Sequence, residues 1–375
     1  MSAARRARRL FAFGIILVAQ FWIFETALRT WGSSEAAPSF QGLFEGDPQI
    51  GYRLKPHART RFITSEFAAD IAINSIGLRD DEEIGPKPAG ERRIVLLGDS
   101  LVLSVQVPFA QTFGELLEKR LNARRGATRY RVINAGVQGY GPVEEQLFFR
   151  RIASAVQADV VIPIIFVGND AEEAVSSKGK LSGAQNAAAS VETDSLTTRL
   201  RRLVRRSMVL QILRLRAVSA TERFTSTLAP PEPPLQSYAA NPAPRIAEGL
   251  SIARSSIEDI MRTASADGAT TAVALMPARF QVDDADYGRL KEGVAAAGGE
   301  LLRDAATERF DRALAPLAVP RLDLLPALRR ALPGPDLFYQ DTVHLTPRGH
   351  DVVAEALEVF LTREIERDRG LSPQR

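Results

Sequence analysis

The chain has 375 residues, 45% hydrophobic and 25% charged, which suits one large catalytic domain with a smaller accessory part and excludes a disordered protein. Its 48 basic and 45 acidic residues leave a formal net charge of +3, so no broad electrostatic footprint for nucleic acid exists. There is no cysteine, which excludes disulfides, thiolate nucleophiles and cysteine metal sites, and any histidine-dependent mechanism must choose among His57, His344 and His350.

Arg5, Arg6, Arg8 and Arg9 precede a mostly apolar run over 10–28, about the length of a membrane-spanning helix. Basic residues before such a run favour a cytoplasmic N-terminus and place the remainder on the far side. Gln20 and Glu25 interrupt the run, and Glu25, with Trp22 and Trp31, suits the outer interface. The expectation is a basic tip and anchor over 1–32, single-pass in the inner (cytoplasmic) membrane, with a periplasmic catalytic domain. A cleaved signal peptide with 10–19 as its core is the competing reading, although no clear small-x-small site follows it, and a buried helix is the third.

A polar linker over 33–45 leads into a small β-rich subdomain over 46–90. There Phe67, Ala69, Ile71 and Ile73 alternate with Asp70, Ala72 and Asn74, the period of a half-buried strand, and Asn74-Ser75-Ile76-Gly77 reads as a turn. From 91 to 365 the pattern becomes that of one α/β domain. Strands are expected at 93–97, 130–134, 159–167, 270–276 and 319–322. Helices are expected at 113–121, 143–156, 247–266, up to about 314, and from Thr346-Pro347 onward, where Thr346 is the cap and Pro347 the first helical residue. Strands alternating with helices indicate a parallel sheet covered on both faces. The rhythm is interrupted by an insertion over 170–245, with an apolar helical stripe at Leu200, Leu203, Val204, Met208, Ile212 and Leu215 beside a crowd of arginines from Arg199 to Arg206. That helix reads either as packed on the domain with a solvated basic face or as an interfacial helix on anionic lipid. Residues 366–375 read as a disordered tail.

Gly98-Asp99-Ser100-Leu101 directly follows the first strand of the domain, where open α/β sheets bind ligands, although Gly-Asp-Ser is also an ordinary turn. A serine hydroxyl needs a base, and Asp341-Thr342-Val343-His344 offers one: histidine takes the proton and aspartate orients the ring. His344 alone also reads as a surface histidine near the start of a helix. Acyl transfer further needs N–H donors for a developing oxyanion. Gly136, Gly139 and Gly141 follow the second strand and Gly168-Asn169-Asp170 the third, each of which is otherwise a simple strand-to-helix turn.

These four pieces, in this order on successive strands and before the last helix, resemble the SGNH/GDSL hydrolase family over about 92–360. Gly98-Asp99-Ser100-Leu101 is similar to its nucleophile block, Gly139 to its second-block glycine, Gly168-Asn169-Asp170 to its third block, and Asp341 and His344 to its final Asp-x-x-His. The resemblance implies a flavodoxin-like α/β/α sandwich with a parallel sheet, ester chemistry through an acyl-serine, and neither metal nor other cofactor. It implies Ser100, Asp341 and His344 as catalytic residues. The Ser100 N–H, the Gly139 N–H and the Asn169 side chain would form the oxyanion hole. Asp99 then stabilises its loop, while His57 and His350 match no block and read as structural or surface residues. The stretch 47–80, with Gly51-Tyr52-Arg53-Leu54-Lys55-Pro56 and Ile73-Asn74-Ser75-Ile76-Gly77-Leu78-Arg79, is similar to the N-terminal part of exported bacterial SGNH proteins, some of which modify polysaccharides with acetyl groups.

The expected activity is ester hydrolysis or acyl transfer on an extracytoplasmic envelope or glycan ester. The expected partners are an acyl ester, a glycan and the membrane at the N-terminal helix, with no nucleic acid. The same triad serves an esterase and an O-acyltransferase. A non-catalytic glycan-binding or assembly protein on this scaffold is an alternative reading, and a lipid-acting esterase with an apolar acyl groove lined by the insertion is another.

Overall fold

The computed structural model describes residues 42–64, 66–124, 128–187, 235–334, 336–340 and 342–371, with 13, 19–22 and 26 before them. The basic tip, the linker up to 41, the arginine-rich stripe over 199–215 and Asp341 lie outside the described residues, as does most of the apolar run. The end of the expected linker is strand instead, since Phe44 and Glu45 pair with Leu54 and Arg53. Among the described residues no helix is long and apolar enough to cross a membrane. Two units divide the chain. Of Met1–Ser39, Ile63–Ser65 and Ala189–Glu232 little is described beyond a few helical residues, in which Phe21 and Trp22 meet edge to face at 6.5 Å. Phe40–Phe62, Glu66–Ala188 and Pro233–Arg375 form the other unit, which carries the sheet and the site.

That unit is built on a parallel sheet. Its strands are β5 (Glu91–Gly98), β6 (Arg129–Gly136), β7 (Val160–Phe166), β9 (Val273–Met276) and β10 (Arg321–Asp323), with the short β8 (Thr270–Thr271) beside β7. Their spatial order is β6-β5-β7-β9-β10, the doubly wound order of flavodoxin-like folds. The register is fixed at the centre, where Val95 lies between Ile133 of β6 and Val161 of β7. Every residue of β7 is buried, as are the last six of β5. A strand buried on both faces reads as an uninterrupted apolar run, and Val-Val-Ile-Pro-Ile-Ile-Phe does so. The seven-residue strand expected at 270–276 is divided because Ala272 donates to Val161 while Val273 donates to Pro320, so the chain changes partners there.

Helices enclose the sheet in two groups. In one, α2 (Phe113–Ala123) packs on α10 (Pro347–Leu371), which also meets α9 (Leu325–Arg330). The last helix continues to Leu371, into the stretch expected as a disordered tail from 366. In the other, α3 (Pro142–Val156), α4 (Asp170–Ala187) and α5 (Pro244–Ala266) pack together, and α8 (Ala305–Leu314) joins α5. The starts of these helices are written locally: Thr112 accepts from the Glu115 N–H at α2, and Pro142 and Pro244 occupy the first turns of α3 and α5. Two antiparallel hairpins precede the sheet, β1 (Phe44–Asp47) with β2 (Gly51–Leu54) and β3 (Arg59–Ile63) with β4 (Ala68–Ala72). Their apolar residues Leu54, Ile71 and Leu78 join the same core as Leu96 and Val132.

Candidate active site

Ser100 opens α1 (Ser100–Leu103), a single turn that begins where β5 ends. Asp99 caps it, accepting from the Leu101 N–H at 2.8 Å, so Asp99 holds the loop and does not reach toward the base. The turn lies directly on β6: a Cβ at Gly136 would come within 2.2 Å of the Leu103 nitrogen, so only glycine allows this approach. Ser100 is 8% exposed.

His344 lies in the loop before α10. Its backbone donates to the Thr342 hydroxyl at 3.2 Å, and its carbonyl accepts from the Tyr339 N–H at 3.0 Å. The ring presents Nε2 to the Ser100 Oγ at 2.9 Å, across 244 residues of sequence. Burial lowers the His344 pKa from 6.5 to about 4, which keeps the imidazole neutral and able to accept a proton. Its Nδ1 is buried and has no partner among the described residues, and Asp341 lies outside them.

Gly139 sits in the loop after β6 with φ +70°, and a Cβ there would meet the Tyr52 hydroxyl at 3.0 Å. Tyr52, on β2, donates to the Gln138 carbonyl at 2.7 Å, and Tyr140 in turn donates to the Tyr52 carbonyl. Burial raises the Tyr52 phenol to about 12, so it remains a donor. The first hairpin thus shapes the loop that presents the Gly139 N–H. Asn169 follows β7, and its Nδ2 donates one hydrogen to Glu173 at 2.8 Å, which leaves the second N–H of that amide for an oxyanion. Ser100, Gly139 and Asn169 therefore stand at the ends of three adjacent strands.

Beneath them lies a group of carboxyls that the motifs do not announce. Asp99, Glu145 on α3 and Asp170 at the start of α4 are all buried, Glu145 to 1% exposure. Asp170 accepts from the Phe166 N–H at 2.9 Å, whereas neither oxygen of Glu145 has a hydrogen-bond partner. Burial, then mutual repulsion, pushes Glu145 and Asp170 well above the usual carboxylate range, and burial raises Asp99 to about 6. Glu145 and Asp170 are thus shifted toward their protonated forms, and Asp99 less so. The signal was available: Glu145 precedes Phe148, Phe149 and Ile152 by three, four and seven positions, on the buried stripe of α3.

The other histidines take no part. His57 is exposed and 3.9 Å from Glu83, and His350 is buried, stacked on Phe113 and accepting from its N–H. A pocket of about 570 Å3 opens beside Asn169, between Phe166, Leu235, Phe280, Leu290 and Val343, with Arg279 and Arg289 at its polar side. Among the described residues no cluster of His, Asp and Glu is arranged to hold a metal ion.

No protein-family model matches the chain, and no curated protein does. Solved structures that align with it include TesA, at 13% identity and a TM-score of 0.40, covering 72% of this chain and 98% of that one. A lipolytic protein of the G-D-S-L family from Veillonella parvula aligns at 14% identity and a TM-score of 0.38, covering 72% and 98%. A variant of Axe2, an acetylxylan esterase from Geobacillus stearothermophilus, aligns at 13% identity and 0.38, covering 72% and 93%.

Proposed function

We propose that this chain, an SGNH/GDSL-type hydrolase by its ordered blocks on a parallel sheet, acts on ester bonds through an acyl-serine at Ser100. The observation that carries the reading is the 2.9 Å contact between the His344 Nε2 and the Ser100 Oγ. His344 takes the hydroxyl proton as Oγ bonds to the acyl carbon. The oxyanion is met by the N–H groups of Ser100 and Gly139 and by the Asn169 amide. The bond to the leaving alkoxide then breaks, and the imidazolium returns its proton to that oxygen. A second hydroxyl attacks the acyl-serine with His344 again as base, and Ser100 is regenerated. Asp341 orients the His344 ring and stabilises its charged form.

Water as second acceptor gives an esterase and a sugar hydroxyl gives an O-acyltransferase. The basic residues and apolar run at the N-terminus support a membrane-anchored enzyme facing the periplasm, acting on an envelope or glycan ester. A non-catalytic glycan-binding role is disfavoured, because such a protein has no need for a serine and a neutral histidine in contact. The apolar wall of Phe166, Leu235, Phe280 and Leu290 favours a second reading, a lipid-acting esterase. Hydrolysis of acetyl and octanoyl p-nitrophenyl esters, with and without an oligosaccharide acceptor, separates these readings. Faster octanoyl turnover supports the lipid substrate, and acyl groups found on the sugar support transfer. Ser100→Ala is expected to lower all of these rates by about 10^4-fold or more while the fold is kept. Unchanged turnover in that variant would overturn the mechanism.

A further inference from the structure

The turn that carries Ser100 is too short to hold itself. A helix leaves its last four carbonyls without helical partners, and α1 has four residues. Ser100 keeps the one i→i+4 bond, and the other three carbonyls are met by side chains. The Ser100 carbonyl accepts from the Ser104 N–H at 2.8 Å, and the Leu101 carbonyl from the Ser104 hydroxyl at 2.6 Å. Val102 accepts from the Asn134 amide at 2.7 Å. Leu103 accepts from Arg79 Nη1 at 2.8 Å. The same guanidinium also donates to the carbonyl of Ser104, which holds the left-handed conformation at φ 55°, and to that of Val107 at 2.7 Å.

Arg79 is 1% exposed and, among the described residues, forms no ion pair with a carboxylate. Burial lowers it to about 10, so it remains charged at neutral pH. A buried cation is expensive unless its donors are used. Here three carbonyls on Nη1 and Nη2 and the face of Phe109, 5.8 Å from the guanidinium carbon, stand in for a paired carboxylate, with the charge of Asp81 adding to them, while Nε is buried without a partner among the described residues. His350, buried on the same side, stays neutral through burial and the nearby Arg79 charge. The motif Asn74-Ser75-Ile76-Gly77-Leu78-Arg79 builds the mount. Asn74 Oδ1 accepts from Ile76 and Leu78, the backbone of Asn74 and Leu78 exchanges a further bond, and Arg79 bridges back to Ile73.

We propose that Arg79 is a positioning residue for the acyl-serine chemistry: from outside the α/β domain it clamps the C-terminal end of the nucleophile turn and thereby sets the Ser100 Oγ and N–H against His344 and the oxyanion. The proposal rests on the Ser100 reading, and the second hairpin leads directly into this clamp. A residue that merely filled the core would be replaceable by methionine with no change in chemistry.

The test follows the rate of inactivation by a fluorophosphonate and the kinetics of an acetyl ester in wild type, Arg79→Lys and Arg79→Met. Circular dichroism and thermal melts confirm that each variant is folded. In Arg79→Met the labelling rate and kcat should fall about 100-fold, the scale of a small misplacement of a reacting atom, with KM within twofold. Arg79→Lys keeps the charge and part of the donor set, and should recover at least a third of that loss on a logarithmic scale. If Arg79→Met does not fold, the lysine variant alone decides, with an expected loss of at least threefold in kcat. Wild-type rates in either folded variant overturn the proposal, as does a rise in KM at unchanged kcat. Failure of the wild type to label at Ser100 would instead overturn the underlying reading.

Discussion

The two walls of the cleft are built on different principles. On one side, between 98 and 139, the nucleophile turn has its terminal carbonyls satisfied by buried donors, Gly136 allows it onto β6, and Tyr52 fixes the loop before Gly139. On the other side, α6 (Arg279–Val282) leads into α7 (Asp284–Ala296), no residue of which is buried. Asp286 pairs there with Arg279 at 2.5 Å and with Arg289, and Arg279 also donates to the carbonyls of Tyr339 and Gln340. The pair with Arg289 is exposed on the arginine side, and such pairs are worth roughly 0–1 kcal/mol, whereas Arg279 and Asp286 are partly buried. The chemistry sits on an over-determined wall and the pocket on an adjustable one. Changes on the first should therefore act on kcat and changes on the second on substrate preference.

The largest effect short of the nucleophile is expected at Asn169. Asn169→Ala removes an oxyanion donor and should lower kcat by about 10²–10³-fold with little change in KM. Steady-state kinetics on an acetyl ester decide it, and a loss confined to KM would make Asn169 a binding residue instead. The pH profile tests the base. Because burial holds His344 at about 4, below its ordinary 6.5, the ring stays neutral between those values. The acid limb of kcat/KM should then lie below pH 6.5, and a limb at 6.5 or above would contradict a desolvated base.

Stability should respond through the carboxyls beneath Ser100. Glu145 is raised above its ordinary 4.5, so its contribution is fully present below 4.5 and is lost as pH rises through the folded value. The depressed histidines act oppositely: the contribution of neutral His344 is present above 6.5 and is lost as pH falls toward about 4. Glu145→Gln supplies a neutral group of the same shape at every pH. Its Tm should exceed that of wild type by roughly 2–4 °C at pH 8 and by less at pH 5. A variant less stable than wild type at pH 8 would mean that an ionised Glu145 is required. The smallest effect belongs to the second wall. Leu290→Ala should change kcat/KM for an octanoyl ester by about threefold and leave the acetyl ester unchanged, because it trims one partly exposed side chain from the pocket. Equal losses on both esters would remove the distinction between the walls.

Which parts of this arrangement are legible in the amino-acid sequence follows from the range of the interactions. The buried strands are runs of contiguous apolar residues, and β7 needs no other signal. Ser100, Gly139 and Asn169 are legible because each directly follows a strand, so that strand order alone brings them to one edge. The contact of His344 with Ser100 was an expectation from chemistry, since only one histidine has an aspartate three residues before it. The hairpin residues were not legible in the same way. Tyr52 reaches Gln138 across 86 positions, and Arg79 reaches Val107 across 28, through contacts that exist only after the hairpins have docked. Glu145 lies between these cases, visible as a carboxyl on an apolar stripe but without a purpose until Asp99 and Asp170 close around it.

The account turns on Ser100 as a nucleophile activated by His344. Incubation of the full chain with a fluorophosphonate, followed by mapping of the modified residue, tests this most directly. The account predicts one phosphonylated residue, Ser100, and at least 100-fold slower labelling in His344→Ala. Labelling at another serine, or labelling of Ser100 at an unchanged rate in His344→Ala, would contradict it.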